Sequence, residues 1–320
     1  MLCNNCARSC NIDRRIKRSF CGMGENPVVS KAFLHMWEEP CISGNRGSGT
    51  VFFSGCTLRC IFCQNHEISH GGLGREITIE ELADIFLALK ENGAHNINLV
   101  TPSHFIPAIR DALIIAGKGI LGGMDETEVQ KLMMKRGQSK LQRQTERLDI
   151  PVVYNTNGYD SIEGLRTMEG LIDVYLPDLK YISPDLSREY SGAGDYYEKA
   201  SMAIAEMYSQ VGAPVFDDDG IIQRGLIIRH LVLPGHVNET LRILDWIAGN
   251  IPEAYVSLMS QYIPCHLAGS HPVLGRHITR YEYDKVMNRF IKLGLNGYVQ
   301  ERESASEQFI PDFSLSDSLS

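Results

Sequence analysis

An apolar strand followed by an amphipathic helix recurs six times along this 320-residue chain, and that recurrence leaves few folds open. Thr50 to Ser54 reads as a buried strand. Thr78-Ile79-Glu80-Glu81 is a capping box opening a helix with Leu82, Ile85, Phe86 and Leu89 on one face, stopped by Gly93. The unit returns as Ile97 to Val100 with a helix over 104–116, Val152 to Asn155 with 162–168, and Leu171 to Leu176 with 198–210. Gly225 to Leu233 with 238–248 and Ala254 to Met259 with 280–293 complete the series. Six βα units predict an α/β fold, a parallel sheet wrapped by helices that is a barrel or an open portion of one, with functional groups on the loops after the strand C-termini.

Three segments stand outside that rhythm. Residues 1–49 lack periodicity and are rich in Cys, Gly and Arg, which predicts a small N-terminal Cys-rich metal lobe ahead of a barrel over 50–300. Residues 117–149, with Lys131, Lys135, Arg136, Lys140, Arg143 and Arg147, read as an insertion carrying a basic, solvated helix. Residues 301–320 are Ser- and acid-rich and are expected to be a disordered tail, with Phe309 to Phe313 as a piece that could dock.

Charge and hydropathy narrow the setting. The net charge of −8 offers no global positive field, so no nucleic acid partner is expected. No apolar run approaches the roughly 20 residues of a membrane span, which predicts a cytoplasmic protein with no membrane partner. In that compartment the nine cysteines stay reduced, and their clustering points to metal rather than disulfides.

Cys56, Cys60 and Cys63 form a Cys-x3-Cys-x2-Cys loop directly after the first barrel strand. Three thiolates do not close a tetrahedral zinc shell, and zinc here would need Cys41 or His66 as a fourth ligand. In a [4Fe–4S] cube, three cysteines leave one iron open to a cofactor or substrate. Cys3, Cys6, Cys10 and Cys21 supply four thiolates and so a closed site, structural or electron-carrying, holding either zinc or an auxiliary iron–sulfur cluster. Arg8, Arg14, Arg15, Lys17 and Arg18 lie among them and offset thiolate charge.

The loop Gly55 to Asn65, with Cys-x3-Cys-x-Phe-Cys, resembles the signature of radical S-adenosyl-L-methionine (SAM) enzymes. The longer string from Gly47, with His35-x-Trp37-Glu38-Glu39-Pro40-Cys41, is similar to the pyruvate formate-lyase activating enzyme group and a related branch. The likeness runs from Cys3 to about Gln300 and implies a partial (βα)6 TIM-like radical SAM barrel, which the six units match. It implies that Cys56, Cys60 and Cys63 hold the catalytic [4Fe–4S] cluster and that Phe62 lies against the adenine of SAM. Asn155-Thr156-Asn157-Gly158 and Asp178-Leu179-Lys180 match segments that reach the SAM carboxylate and a monovalent cation, with Asn155 standing where the family has an acidic residue. Arg229 to Gly235 matches the fifth strand. The family's Gly-Gly-Glu after the second strand is absent. Thr101-Pro102-Ser103-His104 occupies its place, and His104 is therefore expected to hold the SAM amino group.

The resemblance implies an oxidoreductase that reductively cleaves SAM to a 5′-deoxyadenosyl radical and abstracts hydrogen from a substrate. That substrate would be a glycyl radical enzyme's backbone glycine, or alternatively another peptide, RNA or a small molecule. An electron donor such as flavodoxin or ferredoxin is the implied partner. From a different class, the cysteine lobe and the basic insertion are compatible with a non-catalytic metal-binding adaptor.

Overall fold

A computed structural model describes residues 2–118 and 147–299. The central part of the basic insertion and the tail over 301–320 lie outside the described residues. Within them, the parallel strands are β2 (Ser48–Phe53), β4 (Ile97–Val100), β5 (Val152–Thr156), β6 (Val174–Pro177), β8 (Ile222–Leu231), β9 (Tyr255–Met259) and β10 (Asn296–Val299). The first six are the strands of the six sequence units. β1 (Val28–His35) and β3 (Arg75–Glu76) extend the sheet antiparallel beyond β2, and β7 (Val215–Phe216) pairs with β8. The order β10-β9-β8-β6-β5-β4-β2-β1-β3 leaves two edges, so this is a partial barrel.

The strands read as near-continuous apolar runs because both faces are covered. Outside, Leu82 and Phe86 of α3 (Ile79–Glu91), Ile109 and Leu113 of α4 (Ile106–Ile115), and Leu165 of α5 (Ile162–Thr167) belong to the main core. Ala203 and Met207 of α7 (Tyr196–Val211), Ile243 and Leu244 of α8 (Val237–Asn250), and Phe290 of α9 (Arg280–Leu293) continue it. The expected capping box is present: Glu81 N donates to Thr78 Oγ1 at 3.1 Å and Thr78 N to Glu81 Oε2 at 2.8 Å. α9 carries a second such box, from Thr279 and Glu282.

Inside, the two-residue alternation of the strands stacks side chains in rows. Phe52, Val100, Asn155 and Leu176 are successive register partners, as are Asp178, Arg229 and Ser257. Below them, Val153, Val174 and Ile227 pack against Cys41 and Ile42 of α1 (Pro40–Ser43). The β1–β2 connection thus crosses the barrel interior as a plug. The boundary at Gly49 does not mark the edge of the sheet, since β1 lies before it.

The plug is tied to the far wall by charge. Arg229 of β8 donates Nε to Glu39 Oε1 at 2.7 Å and Nη2 to Glu39 Oε2 at 2.5 Å and to Glu38, while Nη1 reaches Asn155 Oδ1 at 3.3 Å. Burial pushes the Glu39 carboxyl up, but the charge and hydrogen bonds of Arg229 hold it below its ordinary range. Among the described residues no helix is long and apolar enough to cross a membrane.

This packing generates two predictions. Arg229→Leu strands two buried carboxylates without their cation and should lower stability by about 3–5 kcal/mol. Adding Glu38→Gln and Glu39→Gln should recover most of that loss in urea unfolding, and an unchanged midpoint in Arg229→Leu alone would contradict the account. The second concerns His230, which bonds Leu179 O through Nδ1 at 2.7 Å and Thr240 Oγ1 through Nε2 at 2.9 Å. A carbonyl only accepts, so Nδ1 carries the proton. Burial pushes the His230 pKa down to about 4, against about 6.5 for an unfolded chain. The unfolded state takes up its proton first as pH falls, so the stability this neutral histidine contributes is present above about pH 6.5 and lost toward about pH 4, a contribution on the order of 3 kcal/mol. His230→Gln should flatten the stability profile across that window, and an unaltered profile would refute the assignment.

Candidate active site

The cysteine loop begins where β2 ends, and its backbone is fastened to two short helices. Gly55 N donates to Ile68 O of α2 (His66–Ser69) at 2.9 Å, and Arg59 N and Ile61 N donate to Ser191 O at 3.0 Å and Tyr190 O at 2.9 Å, both of α6 (Pro184–Ser191). Gly55 has φ +80°, and a Cβ there would come within 2.5 Å of Met23 Cγ and 2.7 Å of Cys21 O, so the turn into the loop requires glycine. Gly158, after β5, is under the same constraint from Asp178 O.

A cavity of about 270 Å³ opens beside this loop. Cys56, Cys60, Phe62, Cys63, Asn155, Thr156, Asn157, Asp178 and Lys180, all singled out in the sequence, line this one space. Parallel-strand geometry gathers them, because each stands at a strand C-terminus or in the loop after it.

Each thiol meets a polar partner. Asn157 Nδ2 donates to Cys56 Sγ at 3.3 Å and to Thr57 Oγ1 at 2.9 Å, Cys60 Sγ lies 3.0 Å from Ser191 Oγ, and Cys63 Sγ lies 3.2 Å from Ser69 Oγ. Burial pushes the Cys56 thiol up to about 11 and the Cys63 thiol to about 12, and raises Cys60 as well. Thiolates at these positions therefore need positive charge beside them, which a bound metal centre supplies. Among the described residues no three His, Cys, Asp or Glu side chains surround one point closely enough for a metal ion. A cube has no such requirement, since its cysteines each hold a different iron. Cys41 is buried in the apolar floor with Val153 and Val174, so it does not complete a zinc shell with the loop.

Lys180 Nζ is 2.6 Å from Asp178 Oδ2. Burial works against the Lys180 ammonium, but the Asp178 carboxylate and the neighbouring Cys60 hold it charged. The pair places one cation and one anion on the wall facing the thiols. Phe52, Ile68, Val100, Leu231 and Met259 make much of the remaining wall apolar.

His104, expected at the SAM amino group, lies away from the cavity. It is fully buried, its Nε2 lies 2.8 Å from the Ser54 carbonyl, and it is not part of the cavity wall. The short 3₁₀ turn over Ser103–Phe105 swings the imidazole under the loop instead of into the space. Thr101 takes the wall position, held at φ +60° with its N–H bonded to Asn155 O at 2.9 Å. A non-glycine residue in that conformation is uncommon and marks a segment fixed by its surroundings. Cys265 and His266, near the sixth strand, also lie outside the wall, with the Cys265 thiol directed to Phe62 O at 3.3 Å.

His35, Trp37, Glu38, Glu39 and Arg229 make a further part of the cavity wall, one that the likeness includes without assigning it a role. A signal for it exists: an arginine inside the apolar run Leu226 to Leu231 demands a buried anion, and Glu38-Glu39 before Pro40 supplies two.

Known proteins similar to this chain include one sequence relative and two solved structures. The uncharacterized protein MJ0674 of Methanocaldococcus jannaschii is 29% identical over 304 residues, covering 92% of this chain and 75% of that protein. Streptococcus suis SuiB bound to its precursor peptide SuiA superposes with a TM-score of 0.48 at 12% identity, over 78% of this chain and 48% of that one. Methylornithine synthase (PylB) gives 0.45 at 14% identity, over 74% and 59%. The chain thus spans about half the length of SuiB. The profile of the radical SAM superfamily matches residues 50–247, more than half of the chain, a span from β2 into α8 that holds most of the residues lining the cavity. The chain belongs to the radical SAM superfamily, whose cofactors are SAM and a [4Fe–4S] cluster.

Proposed function

We propose that this chain is an enzyme that uses Cys56, Cys60 and Cys63 to hold a [4Fe–4S] cluster and the strand-end residues around them to hold SAM. The observation that carries this reading is that three thiols of one loop and the ends of β5 and β6 line a single cavity. A cluster held by Cys56, Cys60 and Cys63 would supply the one-electron reduction that cleaves SAM to methionine and a 5′-deoxyadenosyl radical, the species that would take a hydrogen atom from the substrate.

The protein's own groups do the placing. Asn157 donates to the Cys56 sulfur and ties it to the end of β5, and Ser191 and Ser69 stand beside Cys60 and Cys63, so polar hydrogens face the sulfurs. Phe62, buried in the loop between Cys60 and Cys63, offers a ring face to the adenine. Lys180 offers its ammonium to the SAM carboxylate, with Asp178 fixing its position. In this reading Thr101, which lines the cavity, takes the role expected of His104 and contacts the SAM amino group through its hydroxyl or carbonyl oxygen. The apolar wall excludes water from the reacting centre.

The finer reading is that the hydrogen comes from a backbone glycine of a partner protein, with a small reducing protein such as flavodoxin or ferredoxin as electron donor. The likeness to the pyruvate formate-lyase activating branch supports it. Anaerobically reconstituted protein, given a reductant and SAM, should release 5′-deoxyadenosine, and Cys60→Ala should reduce release to the uncatalysed background. Full turnover in Cys60→Ala would overturn the assignment. Incubation with a glycyl radical enzyme should in addition yield a glycine-centred radical signal, whose absence alongside intact SAM cleavage would reject only the finer reading.

A further inference from the structure

Residues 2–27 contain neither a helix nor a strand of more than an isolated bridge, at Leu2–Asp13 and Cys6–Asp160. A segment of that length cannot bury a core of its own. What it buries instead are thiols: Cys3, Cys6 and Cys21 are 8%, 5% and 5% exposed, with Cys10 at the rim, and all four are free. The backbone folds them toward one another. Asn11 N donates to Cys3 O at 2.9 Å and Cys3 N to Ile12 O at 2.8 Å, and the chain turns through Ser9 and Asn11, both at positive φ. Non-glycine residues keep that conformation where something outside them fixes it.

A buried cation of this segment has donors to spare. Arg14 is 8% exposed, and it shares the His104 carbonyl with Asn5, the neighbour of Cys6. Its Nε and Nη2 have no hydrogen-bond partner. A guanidinium left so under-used when buried calls for an anion.

The same segment braces the loop of Cys56, Cys60 and Cys63 from behind. Arg8 donates Nε to Thr57 O at 2.8 Å and Nη2 to Gly192 O at 2.8 Å, and Arg59 donates Nη2 to Phe20 O at 2.7 Å. The guanidinium carbons of Arg8 and Arg59 lie 3.9 Å and 5.1 Å from the centre of the Phe20 ring. Phe20 and Cys21 are adjacent, and Cys21 O is one of the atoms that forbid a side chain at Gly55.

We propose that Cys3, Cys6, Cys10 and Cys21 hold a second, thiolate-bound metal centre, and that this centre fixes the brace behind the Cys56–Cys63 loop. Four thiolates close the shell, so the centre has no open position for substrate, and Arg14 with the other basic residues of the segment offsets its negative charge. The four sulfurs do not surround one point as they stand, and no helix or strand longer than an isolated bridge within residues 2–27 opposes drawing them together. Zinc and an iron–sulfur cluster share this ligand chemistry, and the metal found distinguishes them.

The test uses the full chain with Cys56, Cys60 and Cys63 all replaced by alanine, purified anaerobically and assayed for zinc, iron and sulfide. One equivalent of zinc, or iron with matching sulfide and visible charge-transfer absorption, is the expected result. Adding Cys6→Ser should bring the content to background. A triple-alanine chain that binds neither metal overturns the proposal, and that outcome requires no further substitution that could unfold the lobe. For the brace, the wild-type loop cysteines carry the readout. Iron held by them should be lost to a chelator several-fold faster in Cys21→Ser than in the wild type, and an equal rate in a Cys21→Ser chain shown to lack the second metal would remove the bracing role while leaving the site.

Discussion

The contact of Arg229 with Glu38 and Glu39 governs the interior of this barrel. A sheet of seven parallel strands that does not close must cover its inner face with something other than its own side chains. Here the β1–β2 connection enters the barrel, presents Cys41 and Ile42 to an apolar lower layer, and anchors itself to β8 through two carboxylates on one guanidinium. A buried ion pair of this kind is weak evidence for net stability but strong evidence for a fixed register, because separating its members leaves a charge with no water. The plug sets where the core ends and where the cavity begins.

Above that floor, chemistry is concentrated by geometry that any parallel α/β fold shares. Strand ends point one way, so Cys56 after β2, Thr101 after β4, Asn157 after β5 and Asp178 after β6 converge without any of them being near another in sequence. The loop that carries the thiols is the least regular part of the wall. It is held by backbone hydrogen bonds to Tyr190 and Ser191 on one side and by the arginine contacts to the N-terminal segment on the other. Polar hydrogens around each sulfur and one lysine ammonium nearby make the space suited to thiolate-bound metal and a zwitterionic cofactor.

Much of this is legible in the sequence, and the exceptions have physical causes. The six βα units are readable because buried parallel strands leave unbroken apolar runs, and the Thr78–Glu81 box marks a helix start directly. β1 is hidden because its Lys31 interrupts the apolar pattern, and β10 because its Asn296 and Gly297 are poor strand residues at an exposed sheet edge. The three cysteines and the Asn155–Asn157 and Asp178–Lys180 segments stand out because spacing and strand position specify them together. His104 departs from its expected place because position along the chain says which loop a residue occupies but not which way a 3₁₀ turn directs its side chain. The pairing of Arg229 with Glu38 and Glu39 spans some 190 residues of sequence separation, and only the folded sheet brings those groups together.

The central claim is that the Cys56–Cys63 loop presents a three-cysteine [4Fe–4S] cluster with one iron open to SAM inside this cavity. Electron paramagnetic resonance of the anaerobically reconstituted and reduced protein, recorded before and after adding SAM, tests it most directly. A cluster signal whose g-values shift on adding SAM, as direct ligation of the open iron requires, is the predicted result. A cluster signal that SAM leaves unchanged at saturating concentration would contradict it.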